Sequence, residues 1–246
     1  MHPTSQILLP LDTDTADKAL ALASQLQGEV AGFKVGLELI NAAGFGLLHQ
    51  LQVVAGPDVK IFYDCKFHDI PNTVAGAARA AARRGVWMFN VHASGGGAMM
   101  RAAVEAAAEG ARSGGLARPL VIAVTVLTSI DAATLGGELG VSESVTDHVI
   151  RLARLAQDSG CDGVVASPHE IAALRAACGP DFTLVIPGVR PAGADPGDQR
   201  RVMTPGEAVR AGADYLVVGR PITAAPDPVA AARRVNAEAD AARNNG

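Results

Sequence analysis

The chain has 246 residues, 49% of them hydrophobic and only 4% aromatic, and its 21 Lys and Arg against 25 Asp and Glu leave a formal net charge of -4. That is the length of one barrel-sized domain, over residues 1–246, with enough apolar residues to fill a core. The acidic balance excludes a broad surface for nucleic acid or an anionic membrane, so an anionic ligand would need a local positive pocket.

Three cysteines, Cys65, Cys161 and Cys178, form no CxxC motif and no disulfide framework, as expected of reduced thiols in a cytoplasmic protein. The first residues show no basic, apolar leader, and no run is long enough for a transmembrane helix.

Short apolar runs alternate with Ala-rich helical segments along the whole length. Strands are predicted at 7–11, 30–35, 60–66, 86–91, 120–126, 163–166, 183–186 and 215–218. Strand–helix alternation implies a parallel sheet with helices outside, and eight such units make a single α/β domain, a (β/α)8 TIM barrel. The helices are punctuated accordingly. Pro71 suits the first turn of one, whose stripe is Val74, Ala77, Ala78 and Ala81, and Gly85 suits its end. Val145, Val149, Leu152 and Ala156 form a second stripe, stopped by Gly160. Thr204-Pro205-Gly206-Glu207 has the spacing of a capping box, and Asp227-Pro228 starts the last helix.

Polar residues recur where the strands end. Asp12 follows the first, Lys34 lies in the second, Asp64 and Lys66 end the third, and His92 follows the fourth. Thr128 and Ser129 follow the fifth, Arg190 the seventh, and Arg220 the eighth. In a barrel those ends converge on one mouth.

The third strand is the most informative. A side-chain period of two puts Phe62, Asp64 and Lys66 on one face, so an acid and a base sit where Phe62 requires a core. Asp69 follows where the strand must stop. A surface ion-pair cluster on an edge strand is the plainer alternative, but Ile61, Phe62, Tyr63 and Phe67 read as buried. The seventh connection, 187–203, is long and rich in Gly, Pro and Asp, and it carries Arg190, Gln199, Arg200 and Arg201. Barrels often bind phosphate beside strands seven and eight, so Arg220 with Gln199 and Arg190 forms a candidate phosphate grip, while Arg200 and Arg201 read as solvated.

With these residues in view, the chain resembles the orotidine 5'-phosphate decarboxylase family. The resemblance is carried by Phe33-Lys34-Val35-Gly36, Asp64-Cys65-Lys66-Phe67-His68-Asp69-Ile70-Pro71-Asn72-Thr73 and Asn90-Val91-His92-Ala93-Ser94-Gly95-Gly96. It continues in Val126-Leu127-Thr128-Ser129, Pro187-Gly188-Val189-Arg190-Pro191, Gly197-Asp198-Gln199-Arg200-Arg201 and Gly219-Arg220-Pro221-Ile222. Pro10 and Cys65 depart from the residues common there.

The resemblance implies conversion of orotidine 5'-phosphate to uridine 5'-phosphate and CO2 in pyrimidine biosynthesis, without cofactor or metal, by a homodimer with sites at its interface. It further implies that Lys66 donates the proton to C6 and that Asp64 faces the substrate carboxylate. Asp69, with Ile70 and Thr73, would come from the neighbouring chain. Lys34 and Asp12 would hold the ribose, Thr128 and Ser129 the pyrimidine, and Gln199, Gly219, Arg220 and Arg190 the phosphate.

Three rival readings of the same residues stay open at the level of sequence. A Schiff-base aldolase needs a neutral Lys66, whereas flanking carboxylates favour the ammonium. A metal-dependent sugar-phosphate lyase would use Asp64, Asp69 and a nearby His as ligands, but an ammonium in their midst opposes a cation, and no HxH or HExxH spacing occurs. His68 and His92 instead read as hydrogen-bonding neighbours of the site. A non-catalytic nucleotide-binding barrel is the third.

Overall fold

The computed structural model of the protein describes residues 5–191 and 203–243. Eight strands run β1 (Ile7–Pro10), β2 (Gly32–Val35), β3 (Lys60–Phe67), β4 (Met88–His92), β5 (Leu120–Val124), β6 (Gly163–Val165), β7 (Thr183–Pro187) and β8 (Tyr215–Val217). Each pairs in parallel with the next, and β8 pairs with β1, so the sheet closes as a barrel in sequence order. All eight predicted strands are present, shifted by a few residues at their ends. Among the described residues no helix is long and apolar enough to cross a membrane.

Period-two alternation divides the side chains into two layers. Leu8, Phe62, Met88, Ile122 and Val185 point into the barrel and form its interior cluster. Their neighbours Ile7, Leu9, Ile61, Tyr63, Phe89, Val121, Ala123, Leu184 and Ile186 point outward into the larger core under the helices. Both layers are therefore dry, and the only polar residues an inward position tolerates are those with partners. The barrel floor is closed by Lys60, whose ammonium lies 4.9 Å from the Trp87 ring centroid and 5.9 Å from that of Tyr215.

The helix signals hold with small changes. Pro71 is in the first turn of the helix Pro71–Arg83. Its buried face is Val74, Ala78, Ala81 and Ala82; Ala82 replaces the expected Ala77, which is half-buried. Gly85 follows with φ 70°, the left-handed conformation that ends the helix without a Cβ clash. Ser144 caps Val145–Asp158, which buries Val149, Leu152 and Ala156, and Gly160 has φ 83° beyond its end. Thr204 and Glu207 form the reciprocal capping box, and Asp227 Oδ1 accepts the Ala230 N–H. At Gly32 the strands pack too closely for any side chain: a Cβ there would stand 2.3 Å from the Lys60 carbonyl oxygen.

Met88 is fully buried at the heart of the interior cluster. Met88→Ala is expected to cost about 2–5 kcal/mol, because neighbouring strands cannot collapse into the cavity. Urea unfolding measures this; a loss below about 1 kcal/mol would mean that the interior repacks freely.

Candidate active site

The mouth of the barrel holds a row of alternating charges. Lys34 is carried inward between the outward-facing Phe33 and Val35 of β2. Its Nζ lies 3.2 Å from Asp12 Oδ1, just past β1, and 3.2 Å from Asp64 Oδ2 on β3. Lys66 Nζ donates to the other Asp64 oxygen, Oδ1, at 2.6 Å. Lys34 and Asp64 are each 8% exposed, so the centre of the row is out of water. Two carboxylates and two ammoniums leave no net charge, which is the condition for burying such groups at tolerable cost.

Burial is the largest influence on Asp64 and by itself would raise its pKa. The Lys34 and Lys66 ammoniums, with hydrogen bonds from Lys66 and Asn90, outweigh it and hold the carboxyl below its ordinary value of 3.8. Asp64 is therefore an anion at neutral pH.

Lys66 does not reach this place by plain strand alternation, as the sequence suggested. Tyr63 pairs with Phe89 and Phe67 with Val91, so β3 spends four residues where β4 spends two. The excess is taken up as a bulge, and Lys66 has φ 49°, the one positive φ among the described non-glycine residues. Asn90, fully buried on β4, fills the notch. Its Oδ1 accepts the Lys66 N–H at 2.7 Å, and its Nδ2 donates to Asp64 Oδ1 at 2.7 Å. Sequence reasoning missed Asn90 as a site residue. The signal was there: an amide two residues after Met88 falls on the inward face of an otherwise apolar strand.

The other predicted residues separate into groups. Thr128, half-buried, lines a cavity of about 170 Å³ with Lys34, Asp64 and Lys66; Val124 and Ala166 contribute its apolar side. Ser129 is exposed on the turn after Thr128. Asp69, Ile70 and Thr73 are exposed, and Asp69 Oδ1 accepts the N–H of its own neighbour Ile70 at 2.6 Å. Among the described residues no ion pair joins Asp69 to Lys66; the row within this chain is completed by Asp12.

At the far rim, a bridge between Val189 and Met203 ties together the two ends of the long connection, and the Arg190 N–H bonds the Met203 carbonyl at 3.0 Å. Arg190 is 9% exposed, with Nη1 on the Val189 carbonyl. Burial and the nearby Arg220 guanidinium lower its pKa below the ordinary value, a like-charge cost that a bound anion would relieve. Arg220 is exposed at the first turn after Gly219. Gln199 lies outside the described residues.

The comparisons with known proteins agree on one family. The family model described as orotidine 5'-phosphate decarboxylase / HUMPS family matches residues 5–235. The chain belongs to this family. A Moorella thermoacetica protein named orotidine 5'-phosphate decarboxylase is 55% identical over 238 residues, 97% of this chain and 93% of that one. A Paramagnetospirillum magneticum protein of the same name is 53% identical over 233 residues, 94% of this chain and 97% of that one. The crystal structure of orotidine 5'-phosphate decarboxylase from Lactobacillus acidophilus superposes with a TM-score of 0.85 at 37% identity, covering 97% of this chain and 100% of that one.

Within the orotidine 5'-phosphate decarboxylase / HUMPS family, the two departures noted in the sequence are absorbed locally. Pro10 packs against Gly219, where an added Cβ would come within 2.8 Å of the proline Cγ. Cys65 donates its thiol to the Asn90 carbonyl at 3.1 Å, and burial pushes the thiol pKa up to about 12, so it is not a nucleophile.

The depressed Asp64 pKa has a consequence for stability. The folded carboxyl holds its proton less tightly than the unfolded one, whose ordinary value is 3.8. Its contribution is therefore complete above the unfolded value and is lost as pH falls through the lower folded value. Asp64→Asn should be destabilised by roughly 3–5 kcal/mol at neutral pH, and its gap to wild type should narrow below about pH 4. Urea midpoints across pH measure this; a gap that is constant into acid would contradict the assigned cause.

Proposed function

We propose that this chain decarboxylates orotidine 5'-phosphate to uridine 5'-phosphate and CO2, the family's step in pyrimidine biosynthesis. The observation that carries the reading is the Asp64 carboxylate held between two ammoniums at the mouth of the barrel, beside an apolar cavity. The relatives named orotidine 5'-phosphate decarboxylase, near 50% identical over almost the whole chain, support it. A cytoplasmic location fits three free thiols.

The chemistry explains the residues. Loss of CO2 from C6 leaves an electron pair in an sp2 orbital that the ring cannot delocalise, so stabilisation must come from charges fixed in advance. Lys66 beside C6 stabilises that pair and then protonates the carbon. Asp64, an anion, faces the departing carboxylate and is relieved as it leaves. Lys34 and Asp12 hold the ribose hydroxyls and keep the row aligned, and Thr128 with Ser129 meets the pyrimidine. Arg190, Gln199, Gly219 and Arg220 take the phosphate, whose binding energy is remote from C6 and offsets the cost of positioning and desolvation.

No cofactor or metal enters this scheme. Asp64 already spends Oδ1 on Lys66 and Asn90 and Oδ2 on Lys34, so its oxygens are engaged by donors that a cation would have to displace. The direct test is to add orotidine 5'-phosphate to purified protein in chelator-treated buffer and follow the ultraviolet change on conversion to uridine 5'-phosphate. Conversion with one CO2 per uridine nucleotide supports the reading; no conversion by folded protein overturns it.

The reading includes a homodimer in which Asp69, with Ile70 and Thr73, completes the neighbour's site. What supports it is the exposure of all three residues on the rim, together with the family's resemblance. Subunit exchange between inactive Lys66→Ala and inactive Asp69→Ala chains tests it. In a mixed dimer one site collects both defects and the other none. Random exchange should make about half the dimers mixed and so restore roughly a quarter of the sites. No recovery, with exchange verified by mass, would put Asp69 in its own chain's site.

A further inference from the structure

We propose that Asn90 is a positioning residue for the decarboxylation, a two-ended clamp that fixes the Lys66 ammonium and the Asp64 carboxylate relative to each other. The proposal rests on the decarboxylase reading and extends it to a residue outside the cavity lining.

Three consecutive residues of β3 depend on this one residue of β4. Asn90 stands opposite the excess stretch 64–66, because the flanking pairs are Tyr63 with Phe89 and Phe67 with Val91. Its Nδ2 donates to Asp64 Oδ1, its main-chain carbonyl accepts the Cys65 thiol, and its Oδ1 accepts the Lys66 N–H. The ladder that would ordinarily satisfy this backbone is interrupted, so a side chain must do so.

The strain explains why the clamp matters. A non-glycine residue at φ 49° pushes its Cβ against its own backbone and persists only where its surroundings hold it. Relaxation of Lys66 to an extended φ would rotate its Cα–Cβ bond and swing Nζ away from Asp64. Asn90 prevents this at the backbone and holds Asp64 at the same time. Only a side chain with both an acceptor and a donor can do both, and a carboxamide of this length supplies them from one buried atom group. Full burial removes water as a substitute for either bond.

Two variants test the clamp, with wild type in parallel. Asn90→Leu keeps the volume and removes both bonds. Its kcat should fall roughly 100-fold, as expected for a displaced catalytic group, while KM and the stoichiometry of uridine 5'-phosphate binding stay near wild type. Asn90→Asp keeps the acceptor for Lys66 but sets a carboxylate against Asp64 where the amide donated. A proton shared by the two carboxylates restores the donor in acid. The other charged groups facing this pair are Lys34 on β2 with Asp12 behind it, Lys66 on β3, and His92 on β4. The kcat of Asn90→Asp should therefore rise toward wild type as pH falls, and that of Asn90→Leu should not.

Inactive wild type would overturn the decarboxylase reading itself. Active wild type with Asn90→Leu within about twofold in kcat would overturn the clamp alone. If Asn90→Leu fails to bind uridine 5'-phosphate, the acid recovery of Asn90→Asp decides, and its absence overturns the clamp.

Discussion

Everything at the mouth of this barrel follows from the burial of one carboxylate between two ammoniums. Unit charges about 4 Å apart interact by roughly 1 kcal/mol in water but by about 4 kcal/mol at an effective dielectric near 20. Asp64 and Lys34 lie nearly out of water, so the row operates toward the stronger end of that range. The same burial makes an unpaired Lys34 or Asp64 costly, so the centre of the row depends on its flanking charges. Asp12, which is more exposed, ties the row to β1 without requiring a further buried partner.

The fold supplies what such a row needs. Two rigid strands, β2 and β3, and the loop after β1 deliver its members, and the dry layers on both sides of the sheet keep the strands from shifting. On the proposed function, the chemistry is separated from the phosphate across the width of the mouth. Lys66 and Asp64 stand on one side, and Arg190 and Arg220 at the other rim, where their mutual repulsion favours a bound anion. A phosphorylated ligand can then be held firmly at a place that takes no part in bond breaking.

Much of this was legible in the sequence, for identifiable reasons. Strand–helix alternation is a repeated signal, so all eight strands could be found even where a boundary moved. The helix starts at Thr204, Pro71 and Asp227 depend on local chemistry and survived folding unchanged. Asp12, Lys34, Asp64 and Lys66 stood out because charged side chains at the ends of apolar strands are costly unless they serve a site. What escaped was non-local. The bulge in β3 depends on pairing with β4, so period-two reasoning gave the right face for Lys66 by the wrong route. Asn90 escaped because its one local sign, an amide on the inward face of an apolar strand, does not name its partners; its role emerges only when β3 lies beside it. Asp69 is the reverse case: its motif is plain, but within the chain its Oδ1 meets only the N–H of Ile70, so its proposed role rests on the motif and not on a contact.

The central claim is that the Lys66 ammonium acts on the transition state and not on ground-state binding. The most direct measurement is kcat for Lys66→Ala beside its affinity for uridine 5'-phosphate. The account predicts a fall in kcat of roughly 10²–10⁴-fold or more, from loss of the proton donor, with product affinity near that of wild type. A kcat within about tenfold of wild type in folded, product-binding protein would contradict it.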